Sequence, residues 1–205
     1  MWNNDKEIIW SHIFRLAQDE LARDIKLIPK LTMNHVDLNP FSKMNVKLAT
    51  QVLSQSVSNI LFHYYPVETH GTAEFCSKMN QFFDCTNVRN QSEHIKTRNE
   101  MVTPYRETND TRFDWLEEDF LKYLKDWSES IEKREGNFTL KERKQMFLSH
   151  QTYEGLQITT KSTIELTRFL LESKMPFVLS EKFNQDVLIE EYFGRQRSLG
   201  RRSII

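Results

Sequence analysis

Val46-Lys47-Leu48-Ala49-Thr50-Gln51-Val52-Leu53-Ser54-Gln55-Ser56-Val57-Ser58-Asn59-Ile60-Leu61 is the run on which the fold turns. Val46, Ala49, Leu53, Val57, Ile60 and Leu61 recur three or four apart, which puts them on one face of a helix and leaves none of the alternation a half-buried strand needs. The pattern predicts a helix from Phe41 to Tyr65, stopped by Pro66, whose ring and missing amide proton break the ladder. Upstream, residues 6–27 read as a helix with Ile9, Ile13, Leu16 and Ala17 on its apolar face, ended by Pro29, and Leu31 to Pro40 reads as a connector. Downstream, a third helix covers Thr72 to Cys85, with Phe75, Met79, Phe82 and Phe83 on its buried stripe. Residues 88–112 are polar with little periodicity and read as a mobile loop. Leu116, Phe120, Leu124, Trp127 and Ile131 restore the helical spacing over 114–132, and Gly136-Asn137 breaks it. Thr139-x-x-Glu142 has the form of a capping box, in which each residue's side chain satisfies the other's amide. A further helix runs from Ser162 to Ser173, Phe177-Val178-Leu179 is too short to count as a strand, and a last helix begins near Asn184. The fold class is mostly α.

Bulk properties narrow the function. A chain of 205 residues fits one large or two small domains. With 28 basic and 29 acidic residues there is no overall basic coat, so any nucleic-acid contact must come from local patches. Five glycines and five prolines disfavour a turn-rich sandwich. Cys76 and Cys85 lack metal or redox spacing and read as reduced core thiols. No apolar run approaches the roughly 20 residues that cross a bilayer, which with the thiols reads as a soluble intracellular protein. There is no Gly-x-x-x-x-Gly-Lys-Ser/Thr phosphate loop, no ligand spacing among the histidines, and no base beside a serine or cysteine nucleophile.

Three kinds of residue group carry chemistry: carboxylates, a helix-end aromatic and amide run, and basic clusters. Asp186, Glu190 and Glu191 open the last helix, and Asp186 and Glu190, four apart, share one face of it. They either contribute to a Mg²⁺ site completed by phosphate and water or complement the helix dipole as solvated acids. Arg195, Arg197, Arg201 and Arg202 follow with no acid among them, a segment suited to phosphate contact and equally to solvation. In Phe82-Phe83-Asp84-Cys85-Thr86-Asn87, a carboxylate and an amide three apart at a helix end can read guanine beside a stacking ring. The alternative is an Asn cap with two core phenylalanines. Lys30, Lys43 and Lys47 make a sparser basic group near the second helix.

At these residues the chain resembles the P-element-type transposases, the group that includes the THAP-domain transposases. Lys26-Leu27-Ile28-Pro29-Lys30-Leu31-Thr32 and the run from Lys43 to Ser54 are similar to the opening of that family's GTP-binding insertion domain. Thr72-Ala73-Glu74-Phe75 and Phe82 to Asn87 are similar to its later helices. Gly155 to Ser162 and Asn184 to Gly200 are similar to its return into the RNase H-like catalytic domain. The resemblance implies a helical insertion domain followed by the C-terminal helices of a split RNase H-like α/β domain: residues 1–137 insertion, with the loop at 88–112, and residues 138–205 the end of the insertion and the RNase H-like segment. It implies GTP as a cofactor, contacted by Lys30, Val46, Ser54, Phe83, Asp84 and Asn87, and a divalent cation at Glu190, the third catalytic acid of a DDE-type site, with Asp186 nearby. It implies DNA as a partner, an oligomeric parent and a nuclear location. The sequence departs from the family in carrying Ile189 as an extra residue between Asp186 and Glu190. On a helix this rotates one relative to the other by about 100°. The first two catalytic aspartates fall upstream of the segments matched, so the chain is expected to be a fragment or domesticated copy, inactive alone. A non-catalytic helical interaction module derived from a transposase is the alternative.

Overall fold

The periodic segments become helices, and the computed structural model describes residues 1–3, 5–40 and 42–183 of the chain. In chain order the elements are β1 (Trp2–Asn3), β2 (Lys6–Glu7), α1 (Trp10–Ala22), α2 (Val46–Val52), α3 (Gln55–Tyr64), α4 (His70–Thr86), α5 (Glu93–Thr97), α6 (Thr111–Asp114), α7 (Lys122–Lys133), α8 (Leu140–Gln145) and α9 (His150–Glu172). Short 3₁₀ turns lie at Met33–His35, Ser42–Met44, Val67–Thr69, Glu100–Val102 and Ser180–Phe183, and a π-helical stretch, Trp115–Leu121, joins α6 to α7. The chain divides into two units: Met1–Phe83 with Thr111–Thr160, and Asp84–Asp110 with the residues from Lys161 onward.

The first unit is built on a core of Ile13, Leu16 and Ala17 from α1, Val52 from α2, Val57 and Leu61 from α3, and Ala73 and Cys76 from α4, closed by Ile28, Leu31 and Val36. The helix expected over 6–27 is shorter. Its first residues instead pair as the antiparallel hairpin β1–β2, with Trp2 opposite Glu7 and Asn3 opposite Lys6. Arg23 ends α1 in an extended conformation. The helix expected over 41–65 is two helices. Leu53 leaves the helical region, and Ser54 turns extended so that its Oγ accepts the Val57 amide at 3.4 Å. Asn45 does the same for α2, accepting the Lys47 amide at 3.0 Å. Short polar side chains that satisfy orphan amides make helix starts out of what periodicity alone reads as an interior. The predicted stripe splits accordingly: Val57 and Leu61 are buried, while Val46 at the start of α2 is exposed.

Later in the unit, Leu116, Phe120, Leu124, Trp127 and Ile131 are all buried. Trp127 is edge-on to Phe147, with ring centroids 4.9 Å apart, and donates its indole N–H to the Trp2 carbonyl at 2.6 Å. The expected capping box is present. Glu142 Oε2 accepts the Thr139 amide at 2.8 Å, and Thr139 Oγ1 accepts the Glu142 amide at 3.3 Å. The Thr139 amide and hydroxyl, both donating to Glu142 Oε2, hold the Glu142 carboxyl below its usual range.

In the second unit, residues 88–110 are not the bare loop their polarity suggests. Val88, Val102 and Tyr105 are buried, α5 and a 3₁₀ turn lie among them, and Tyr105 forms an isolated antiparallel bridge with Val178. That bridge is the structure taken up by the Phe177–Leu179 segment. The helix expected from Ser162 begins at His150 and passes through Gly155, whose Cα faces open space.

Candidate nucleotide-recognition residues

Lys30, Val46, Ser54 and Phe83 fall in the first unit, Asp84 and Asn87 in the second. Lys30 is exposed on a turn after α1. The turn is fixed from below: the Glu20 carboxylate, fully buried, accepts the Ile28 amide at 2.8 Å, and the Leu31 amide closes back on the Ile28 carbonyl at 2.9 Å. Arg23 lies 3.3 Å from the other oxygen of Glu20. A buried carboxylate held by a backbone amide and a cation sets the path of the chain that presents Lys30. Val46 is the first residue of α2, and Ser54 spends its hydroxyl oxygen on the α3 cap.

The two neighbouring phenylalanines separate in role. Phe82 is buried and stacks on Phe120, with centroids 4.5 Å apart and planes 17° from parallel, so it belongs to the core. Phe83, one of the GTP contacts the resemblance implies, is only half buried.

In the second unit, Asp84 and Asn87 lie at the end of α4 and just beyond it. The Asp84 carboxylate accepts the side-chain amide of Asn99 at 2.8 Å, and Asn99 Oδ1 accepts the Met101 amide at 3.0 Å. Asn87 Nδ2 lies 3.3 Å from the Thr86 hydroxyl. The backbone of this segment is clamped from two sides. The Cys85 carbonyl accepts the Tyr105 hydroxyl at 2.9 Å and the Ser180 hydroxyl at 2.8 Å, while the Val88 amide donates to Ser180 Oγ at 3.0 Å. Arg89 pairs with Glu181 at 3.1 Å. Sequence reasoning missed Asn99, Tyr105 and Ser180. Only Asn99 carried a local signal, an Asn placed directly before Glu100-Met101-Val102 as a cap.

An apolar cavity of about 370 Å³ in the first unit is lined chiefly by Ile8, Ile13, Leu48, Val52, Phe75 and Cys76, and its lining residues include none of Lys30, Val46, Ser54 or Phe83. Its polar lining is limited to residues such as His35, Ser42, Lys43, Asn45 and Thr72. Neither Cys76 nor Cys85 is in a disulfide and both are buried, and burial pushes the Cys76 thiol up to about 12, as expected of an inert core thiol. Among the described residues no group of three or more His, Cys, Asp or Glu is placed to hold a metal ion, and no helix is long and apolar enough to cross a membrane. Asp186, Glu190, Arg195, Arg197, Arg201 and Arg202 lie outside the described residues.

Comparison with known proteins adds three findings. Residues 1–99 match the family described as TNP-like, GTP-binding insertion domain. The Transposable element P transposase of Drosophila melanogaster is 28% identical over 185 residues, which are 86% of this chain and 22% of that protein. The Drosophila P element transposase strand transfer complex superposes with a TM-score of 0.64 at 25% identity, over 96% of this chain and 41% of the solved chain. This chain therefore spans less than half the length of either relative.

Proposed function

We propose, for a chain that is P-element-transposase-like and carries a TNP-like GTP-binding insertion domain over residues 1–99, that it binds GTP through Asp84 as the reader of guanine. The observation that supports this reading most directly is the Asp84 carboxylate at the end of α4, held in one orientation by a side-chain amide that is itself tied to the backbone. A carboxylate complements the N1–H and 2-amino donors of guanine, and adenine, with an acceptor at N1, offers it no such pair. Asn87 is assigned a polar contact, Phe83 a ring contact, and Lys30 a phosphate, since an exposed ammonium is a compact point charge that pairs with an anion. Val46 and Ser54 are carried as backbone-level contacts at the starts of α2 and α3.

The reading extends to the parent activity. Residues 138–205 are assigned to the end of the insertion and an RNase H-like segment, with Glu190 as a catalytic carboxylate and Asp186 beside it toward Mg²⁺. Arg195, Arg197, Arg201 and Arg202 are assigned to DNA phosphates, in an oligomeric nuclear enzyme whose other acids come from elsewhere. On this assignment the chain alone binds nucleotide and does not cleave DNA.

The test is a thermal shift with GTP and ATP on the wild-type chain and on Asp84→Ala. At a GTP concentration about 100 times the dissociation constant, bound ligand stabilises by about 2.7 kcal/mol, a shift of several degrees for a chain of this size. GTP is expected to raise the midpoint and ATP to leave it unchanged, with Asp84→Ala removing the difference. No response to either would leave a helical scaffold without the ligand, and an equal response to both would remove Asp84 as the reader of guanine.

A further inference from the structure

We propose that the apolar cavity of the first unit is a binding site for an amphipathic monoanion, a medium-length hydrocarbon chain ending in one carboxylate, with that carboxylate met by Lys43 at the mouth. The inference does not depend on the assignment of GTP, because the residues lining the cavity include none of Lys30, Val46, Ser54 or Phe83.

The interior selects an apolar body. Ile13 of α1, Val52 of α2 and Cys76 of α4 are buried at its walls, and Ile8, Leu48 and Phe75 continue the lining. Its volume, about 370 Å³, falls at the lower end of the roughly 300–1,000 Å³ typical of small-molecule sites. A hydrocarbon laid along such walls leaves water and meets carbon on most sides. The two buried polar side chains of the lining are already bonded within the protein. Thr72 Oγ1 accepts the Ile9 amide at 3.2 Å and lies 2.8 Å from His12 Nδ1. His35 Nδ1 accepts the Thr32 amide at 3.1 Å, and its Nε2 lies 2.8 Å from Gln51 Oε1.

The mouth has the opposite character. Trp10, Lys43, Asn45 and Ala49 line the cavity and are exposed, so it opens to solvent beside the start of α2. Among the described residues of the lining there is no Asp or Glu, and Lys43 is the one Lys or Arg. Of the three lysines grouped from the sequence, it alone lines the cavity. Among the described residues no carboxylate pairs with it. Ser42 and Asn45 flank it, and Asn45 gives its Oδ1 to the Lys47 amide at 3.0 Å, which leaves its NH₂ as a donor. The ammonium attracts a carboxylate and repels a cationic head, and the hydroxyl and the amide NH₂ can donate to the same oxygens. An apolar body with an anionic end therefore matches both halves of the site.

The test is calorimetric titration of the full chain with decanoate. Decylammonium supplies the same chain under the opposite charge, acetate supplies the head without the chain, and both amphiphiles are kept below their micelle concentrations. Decanoate is expected to bind at one site, decylammonium about tenfold more weakly, and acetate not measurably. Two exposed positions carry the variants. Lys43→Glu is expected to invert the order of the two amphiphiles. Ala49→Trp, which sets a ring at the mouth, is expected to weaken decanoate by about tenfold. The ligand-free melting point of each variant is expected to stay near wild type. No binding of decanoate overturns the proposal, and so does decylammonium binding as tightly as decanoate or more so. An order unmoved by Lys43→Glu removes the anionic head from the site, and decanoate affinity that survives Ala49→Trp places the binding elsewhere; either result overturns the proposal.

Discussion

Glu20 shows how a residue's type and its position can point in opposite directions. Its spacing from Ile13, Leu16 and Ala17 puts it on the buried face of α1, while its charge assigns it to the solvated face. The structure follows the spacing and leaves it with no exposed surface. The charge is tolerated because the Ile28 amide and Arg23 meet it, partners that no pattern along α1 reveals. His12, on the same helix, gives a consequence that can be measured. Its Nδ1 lies 2.8 Å from the Thr72 hydroxyl, and burial holds its pKa below 6.5, against partial opposition from Glu7 and Glu68, with Arg15 adding to the shift. The unfolded chain therefore takes up this proton first. The stabilisation is complete above the unfolded value near 6.5 and is lost as pH falls through the lowered folded value. Urea midpoints are expected to drop between pH 7.5 and pH 5, and His12→Gln to flatten that part of the slope. An unchanged slope in the variant would place the pH dependence in other groups.

At the scale of elements, long apolar periodicity carried the assignment and short polar side chains set the boundaries. The segment over 114–132 was legible because its stripe runs unbroken. Neither the π-helical stretch within it nor the break at Leu53–Ser54 changes the apolar count, so neither could be read from spacing. Thr139 and Glu142 were legible because a capping box is wholly local, whereas Asn99 acts on Asp84 across fifteen positions. Asp84, Asn87 and Lys30 stood out by residue type, Val46, Ser54 and Phe83 came from the resemblance, and what the structure adds is their separate surroundings: Ser54 as a cap, Lys30 on a braced turn, Asp84 beside Asn99. The hairpin at the start of the chain was missed altogether, because it depends on one distant glycine. A Cβ built at Gly71 would lie 2.6 Å from the Glu7 carbonyl oxygen and 2.8 Å from Lys6 Cβ, so α4 and β2 approach as closely as they do only over glycine. Gly71→Ala is expected to cost about 1–3 kcal/mol. Hydrogen exchange should show the loss concentrated at Ile8 and Ile9, whose amides bond to Met1 and Thr72. A protein as stable as wild type would show that the hairpin can shift aside.

For the molecule as a whole, sequence-distant contacts decide the order in which things become secure. The second unit is assembled from two stretches of chain with Thr111–Thr160 between them, and its buried tie is Ser180, bonded to Val88 and Cys85 across 92 and 95 positions. Ser180→Ala removes both bonds and leaves a buried amide without that acceptor. It is expected to cost about 1–3 kcal/mol and to speed exchange at Val88 without altering the amides of α1. Uniform acceleration across the chain would mean that the two units open as one.

The same tie puts a clock on the molecule. A ribosome adds roughly 5–20 residues each second, so a stretch of 95 positions takes on the order of 5–20 seconds to make. Asp84 and Asn99 leave the ribosome early in that interval, and the serine that locks their neighbours arrives at its end. For those seconds a newborn chain carries the residues of the proposed guanine contact without the serine that ties their neighbours, Cys85 and Val88, together.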